Sequence, residues 1–233
     1  MKTYWIKFRL KSDATFGKGD GVAGLVDTEV QHDQFGLPYL GGKTLKGLLT
    51  AECAEILSAL ENVVPNKVEN WHRPAQRLFG NRGSGNVEMA LLHIGHAQIP
   101  SDLRYLIFDD FKTGKLSREM VLESLTAIRR QTSMDAETGA SKKETLRTTR
   151  VILRETVFES RLDFCEEPTN EDLALLAACV KAFHRAGTER NRGRGKLEAE
   201  LYDRYPGIDA ETKKPVEPVT NIYFESFRKG VLA

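Results

Sequence analysis

The chain has 233 residues, 40% of them hydrophobic and 29% charged, with a formal net charge of +1 at pH 7. That length supports one sizeable domain, or two half-domains that share a core. No apolar run approaches the ~18–20 residues of a membrane span, so no membrane contact is expected. Met1–Ile6 enters an alternating pattern at once, without the apolar region of a signal peptide. The cysteines Cys53, Cys165 and Cys179 are odd in number, widely spaced and free of any CxxC. They argue against a disulfide framework or zinc knuckle and fit a reducing cytoplasm.

Taken in chain order, Tyr4–Leu10 alternates with period two and reads as a half-buried strand. A glycine-rich loop follows at residues 16–24. Gly41-Gly42-Lys43-Thr44 then opens a helix with Thr44 as candidate N-cap, its stripe running through Leu45, Leu48, Leu49, Cys53, Ile56, Leu57 and Leu60. A second glycine-rich segment at 79–86 leads into an expected strand, Met89 to Ile99. Ser117 to about Arg130 reads as a helix, and Met134 to Lys143 lacks apolar periodicity and reads as an exposed loop. Val151 to Phe164 reads as one long strand. Thr169-Asn170-Glu171-Asp172 starts a second amphipathic helix. Strands are expected near Lys196 to Tyr202 and from Asn221 to Phe227. Strands and helices do not alternate strictly, so the pattern fits an α+β fold, specifically a ferredoxin-like sheet with helices on one face.

A net charge of +1 is small for a nucleic-acid binder, but the basic residues are concentrated. Between His184 and Lys196, Arg185, Arg190, Arg192, Arg194 and Lys196 stand against the single acid Glu189. Lys142, Lys143, Arg147, Arg150 and Arg154 form a second cluster. In the loop Gly187–Gly195, arginines alternate with small residues, so guanidinium and backbone N–H groups can approach phosphates together.

Gly41-Gly42-Lys43-Thr44 resembles the end of a nucleotide-binding loop, GxxxxGK[ST], but the first glycine would have to stand at Leu37, so a bound NTP is not expected. Glycines at a helix start with Lys43 and Lys46 nearby suit either a nucleic-acid phosphate or an ordinary helix entry. Asp20, Asp27, Glu29 and Asp33 lie between the first strand and this helix. An acid there can hold a divalent cation or assist proton transfer from a 2′-hydroxyl, and spacing alone does not choose among the four. His93 and His96, three apart in an expected strand, point to opposite faces and make poor co-ligands.

The stretch Gly24–Gly47, GLVDTEVQHDQFGLPYLGGKTLKG, resembles the signature of the CRISPR-associated RAMP superfamily, in particular the backbone subunits of type III effector complexes. Leu78-Phe79-Gly80, the stretch from Arg130 to Val151 and the loop Gly187–Gly195 follow in that family's order. Where the family often has Pro-Gly-Ser-Ser, this chain has Gly41-Gly42-Lys43-Thr44. The resemblance implies a single domain over 1–233, a modified RRM palm with a β-hairpin thumb at about 131–150. It implies an endoribonuclease, active within the complex, in which Asp27 supports metal-dependent cleavage of target RNA with Mg2+ or Mn2+, while Asp33 is the more structural acid. Gly41, Gly42, Lys43, Thr44 and Lys46 would meet the guide backbone, helped by Arg130, Lys142, Arg147, Arg150, Arg190, Arg192 and Arg194. The implied partners are CRISPR RNA, target RNA, further copies stacked head to tail and other type III subunits.

Overall fold

The structure, a computed structural model, describes residues 2–80, 90–132 and 146–232. The alternation at the N-terminus forms β1 (Lys2–Leu10), whose Tyr4, Ile6, Phe8 and Leu10 are all buried. β1 lies centrally, antiparallel to β5 (Val157–Phe164) on one side and β6 (Leu197–Tyr202) on the other, and the short β2 (Leu92–Ile94) adds to β5. The four-stranded order is β2-β5-β1-β6. One helical layer covers this sheet: α1 (Gly42–Val63), α2 (Pro65–Phe79), α5 (Asn170–Ala182) and α6 (Thr220–Leu232). Leu45, Leu49 and Cys53 of α1 and residues 173–180 of α5 are buried in the same core as Phe8, Phe158, Leu162 and Phe164.

Counting only the strands of this sheet, helices connect the first to the second and the third to the fourth, and the third and first lie at the centre. That is the ferredoxin-like arrangement, and the expected α+β class holds. Between β2 and β5 the chain inserts α3 (Ser101–Lys112), α4 (Arg118–Leu125) and a separate antiparallel hairpin, β3 (Thr126–Gln131) with β4 (Arg147–Ile152). Most of the segment expected as a thumb, about 131–150, lies outside the described residues.

Several expected elements are corrected. Asn221–Phe227 is not a strand but part of α6, because Tyr223, Phe224 and Phe227 fall at helical spacing and pack toward α5 and Trp71. The helix expected over 117–130 stops at Leu125, and Thr126–Gln131 pairs with β4 as the strand β3. The long strand expected over 151–164 breaks at residues 153–156, where Glu155 takes φ 69° and the chain turns from β4 into β5. The strand expected over 89–99 shrinks to β2, with Met89 outside the described residues. Two further helices lack a plain sequence signal. Pro65 sits in the first turn of α2 and Pro74 inside it, which masks a stripe through Val68, Trp71 and Leu78, and α3 has no buried residue to give it a stripe.

Two caps illustrate how local sequence acts. Thr169 does start α5, its hydroxyl accepting from the Asp172 amide (3.2 Å) while the Asp172 carboxylate accepts from the Thr169 amide (2.9 Å). Thr44 does not start α1: the N-cap is Gly41, which has no side chain to offer. His96 supplies the acceptor instead, its Nδ1 receiving the Gly42 N–H at 3.0 Å.

Candidate nucleic-acid interface

After β1 the chain crosses the surface to α1 and carries the four candidate acids in different environments. Val22 and Val26 exchange backbone hydrogen bonds (2.8 and 3.0 Å) and close a small loop. A Cβ on Gly21 would collide with the Val26 carbonyl, so the loop needs glycine there. Next comes Asp27, exposed, its amide donating to the Thr148 carbonyl (2.7 Å) and its Oδ2 accepting from the Thr148 amide (2.6 Å). Its Oδ1 has no hydrogen-bond partner among the described residues. Thr148 lies in β4 directly opposite Arg130 of β3. Near the loop-ward end of this ladder, Thr148 thus stands between Asp27 on one edge of β4 and Arg130 on the other, with exposed Arg147 next along the strand.

The other acids are largely accounted for. Glu29 is buried, and its carboxylate pairs with Arg150 at 2.9 Å. Asp33 Oδ1 accepts from the amides of Phe35 (2.9 Å) and Leu37 (3.0 Å), fixing the turn before α1. Asp20 is exposed near the start of the closed loop. Spacing does not separate the four, whereas burial and bonding leave Asp20 and Asp27 open to a ligand, and only Asp27 is anchored to the hairpin.

At the start of α1, Lys43 and Thr44 are exposed, and their first-turn amides lack intrahelical acceptors. Two adjacent glycines would leave such a seat loose. Here Gly42 is wedged against the Ile94 carbonyl, where a Cβ would not fit, and Leu40 and Ala97 exchange hydrogen bonds of 2.9 Å. The His96 ring that caps Gly42 rests against Tyr39, with centroids 5.2 Å apart. His96 is the residue sequence reasoning missed: its partner is 54 positions away, and nothing local signals the bond. Lys46 is less free, since its Nζ donates to the Leu92 carbonyl (2.9 Å) and burial lowers its pKa from the ordinary lysine value.

The glycine-rich loop makes a single 3-10 turn at Arg190–Arg192. Gly187, Glu189, Gly193 and Gly195 all take positive φ. The loop is tied down at both ends, by Thr188 N–H to the Thr15 carbonyl (3.0 Å) and Gly195 N–H to the Asp13 carbonyl (2.9 Å). Glu189 pairs with Arg194 at 2.6 Å, and the Gln131 amide, suitably oriented, bridges both residues to the end of β3. Arg194 is therefore mostly spent within the loop. Arg190 and Arg192 remain exposed, Arg192 held only by a 3.7 Å approach to Glu189. A Cβ on Gly195 would strike the Ala186 carbonyl at φ 70°. Gly195→Ala is accordingly expected to destabilise the chain by about 1–3 kcal/mol, read by urea denaturation.

Arg150, expected among the phosphate contacts, is buried and occupied. Its guanidinium serves Glu29 and the Thr126 hydroxyl (3.2 Å), so it supports the hairpin from inside. Lys142 lies outside the described residues. Among the described residues, no three His, Cys, Asp or Glu side chains cluster as a metal site, and no helix is long and apolar enough to cross a membrane.

Fold and site together define a ferredoxin-like α+β protein with an inserted hairpin and exposed cationic loops on its surface. The sequence matches the RAMP superfamily over residues 7–198, and the chain belongs to that superfamily. Comparison with curated proteins gives no match. Among solved structures, one similar chain comes from a type III-B Cmr-beta complex bound to cognate target RNA, with TM-score 0.58 and 13% identity, covering 86% of this chain and 97% of that one. A chain from the apo state of the type III-B Cmr-beta has the same TM-score and coverage at 15% identity. At these identities the likeness establishes the fold.

Proposed function

We propose that this protein is a backbone subunit of a type III CRISPR ribonucleoprotein, carrying guide RNA on its cationic loops and cutting the paired target RNA at Asp27. The observation that carries the reading is the anchoring of Asp27. Among the three acids of the signature segment it alone is exposed, and it is fixed through both its amide and one carboxylate oxygen to Thr148 of β4, the residue opposite Arg130. A superfamily match over most of the chain and two similar chains from type III-B Cmr-beta structures support the assembly part.

In this reading the guide is gripped without being read, because base pairing supplies sequence specificity. Lys43, Thr44, Arg190 and Arg192 meet phosphates, and copies stack head to tail along the guide. Asp27 offers one carboxylate oxygen without a partner among the described residues, enough to help hold Mg2+ or Mn2+ only if RNA oxygens complete the shell. Such an ion would neutralise charge developing on the scissile phosphate. Asp27 itself orients what it holds, and Arg130 across the ladder steadies the phosphate.

Two results test the RNA-carrying part. The purified assembly should retain RNA of uniform length, and a preparation free of RNA overturns the reading. Lys43→Ala and Arg192→Ala should each weaken single-stranded RNA binding regardless of sequence. Each should also lower the slope of log affinity against log salt by about 0.7 for every phosphate the variant no longer neutralises. The absence of a cluster of three metal-ligating side chains among the described residues favours a second reading, a subunit of the same kind that holds RNA without cutting it.

A further inference from the structure

The helices cover one face of the central sheet, and the other face forms the floor of a cleft of about 1030 Å3. Lys7 and Arg9 of β1, Glu159 of β5 and Tyr202 of β6 make the floor, while the start of α3 and the segment 205–216 form walls. A helix-free face on a four-stranded sheet is where RRM proteins stack bases, and this one carries aromatic rings: Trp5 is registered beside Tyr202, and Tyr205 sets its edge on Trp5 at 5.2 Å. The volume suits a nucleotide.

One floor residue is chemically unfinished. Glu159 is only 6% exposed, and its Oε2 has no hydrogen-bond partner. Its Oε1 lies 3.4 Å from Lys7 Nζ, which also donates to the Pro206 carbonyl at 3.0 Å. The Tyr205 hydroxyl, which faces this carboxylate, accepts from the Ser101 amide at 3.3 Å and lies 2.7 Å from Ser101 Oγ, so a ligand at Glu159 competes with it for the open oxygen. A buried acceptor left open is costly, and a ligand that donates to it recovers that cost. Lys7 already balances the charge, so a second cation would leave a buried excess, whereas a neutral N–H donor would not.

We propose that this cleft binds a guanine base, whose adjacent N1–H and 2-amino groups donate to the Glu159 carboxylate while Tyr202 supplies ring contact. Guanine is the one common RNA base with two neighbouring donors on that edge, and a carboxylate offers two oxygens to match them. At the rim, Arg9 is held only by a 3.4 Å pair with Glu155, and Arg154 has no acid partner among the described residues, so both are placed for the phosphate of the nucleotide. Burial raises the Glu159 carboxyl above its ordinary range, opposed first by the Tyr205 hydroxyl that faces it and then by Lys7. Only the ionised form accepts both donors, so binding strengthens as the pH rises past that raised value. The site stands whether or not Asp27 cuts RNA.

The test is equilibrium binding of GMP, IMP and AMP to the purified full-length chain, with an oligoadenylate carrying one central guanine compared against one without. GMP should bind at least about tenfold more tightly than IMP, which lacks the 2-amino group, and AMP should be weaker still. Glu159→Gln should cost about tenfold or more in a chain that remains folded. Leu103→Trp, at a partly exposed wall position that folding does not depend on, should block the cleft. A guanine preference shown by GMP assigns a free nucleotide, and one shown only by the oligonucleotide assigns a base in a strand; both support the site. Equal binding of all three nucleotides, no guanine-dependent binding in either arm, or binding indifferent to both variants overturns it.

Discussion

Target RNA cleavage by the assembled complex is expected to fall by roughly 10²–10⁴-fold when Asp27 is replaced by alanine, a range typical of removing a group that acts on the reacting atoms. Retained guide RNA should not change. Asp27 is exposed and outside the core cluster, and its one side-chain hydrogen bond among the described residues, to the Thr148 amide, is worth about 1 kcal/mol. The loss should therefore appear in the rate of cutting, with target affinity and melting temperature nearly untouched. Asp27→Asn sharpens the test, since its carbonyl can still accept from Thr148 while the charge is gone. If Asp27→Asn cuts as slowly as Asp27→Ala, the charge matters; if it cuts normally, Asp27 only anchors the loop. Undiminished cutting at every site in Asp27→Ala would remove the catalytic assignment and leave the RNA-holding reading in place.

What the sequence disclosed depended on how local each determinant was. β1 and α1 were legible because a period of two or of three and four runs through Tyr4–Leu10 and Leu45–Leu60, each with one buried face. α5 was legible because its cap is local, although it is buried all round over 172–180 and not on one amphipathic face. α6 was not, since its Tyr223, Phe224 and Phe227 are residues that strands favour, and only packing against α5 and Trp71 makes them helical. The site divides the same way. The glycines and lysine of Gly41–Lys43 and the arginines of 190–194 announce phosphate chemistry by composition. Whether a given arginine is available is decided largely by partners far along the chain: Arg194 by Gln131 as well as the nearby Glu189, Arg150 by Glu29, 121 positions away. Choosing Asp27 from among Asp20, Glu29 and Asp33 needed the signature first, and then the burial that removes Glu29 and the turn that occupies Asp33.

The largest stability effect is expected at Arg150. The Glu29–Arg150 pair is nearly closed to solvent, with side chains 5% and 7% exposed and a 2.9 Å contact. Arg150 also donates to the Thr126 hydroxyl at 3.2 Å, and its backbone amide donates to the Thr28 carbonyl at 3.0 Å, beside the Asp27–Thr148 contact. Replacing it with methionine keeps most of the volume but leaves the Glu29 carboxylate buried without a partner, a loss of about 3–5 kcal/mol. Urea denaturation should show that loss at neutral pH. Changing both residues to methionine should recover most of the stability, since the penalty comes from the unpaired charge and not from the missing attraction. The double variant then separates two roles. Its folded state lacks the bond that ties the Asp27 segment to β4 from inside, so cutting should remain slower than wild type even where stability has returned. A single variant that stays within ~1 kcal/mol of wild type but sheds its RNA would instead return Arg150 to the phosphate-binding set, against its burial beside Glu29.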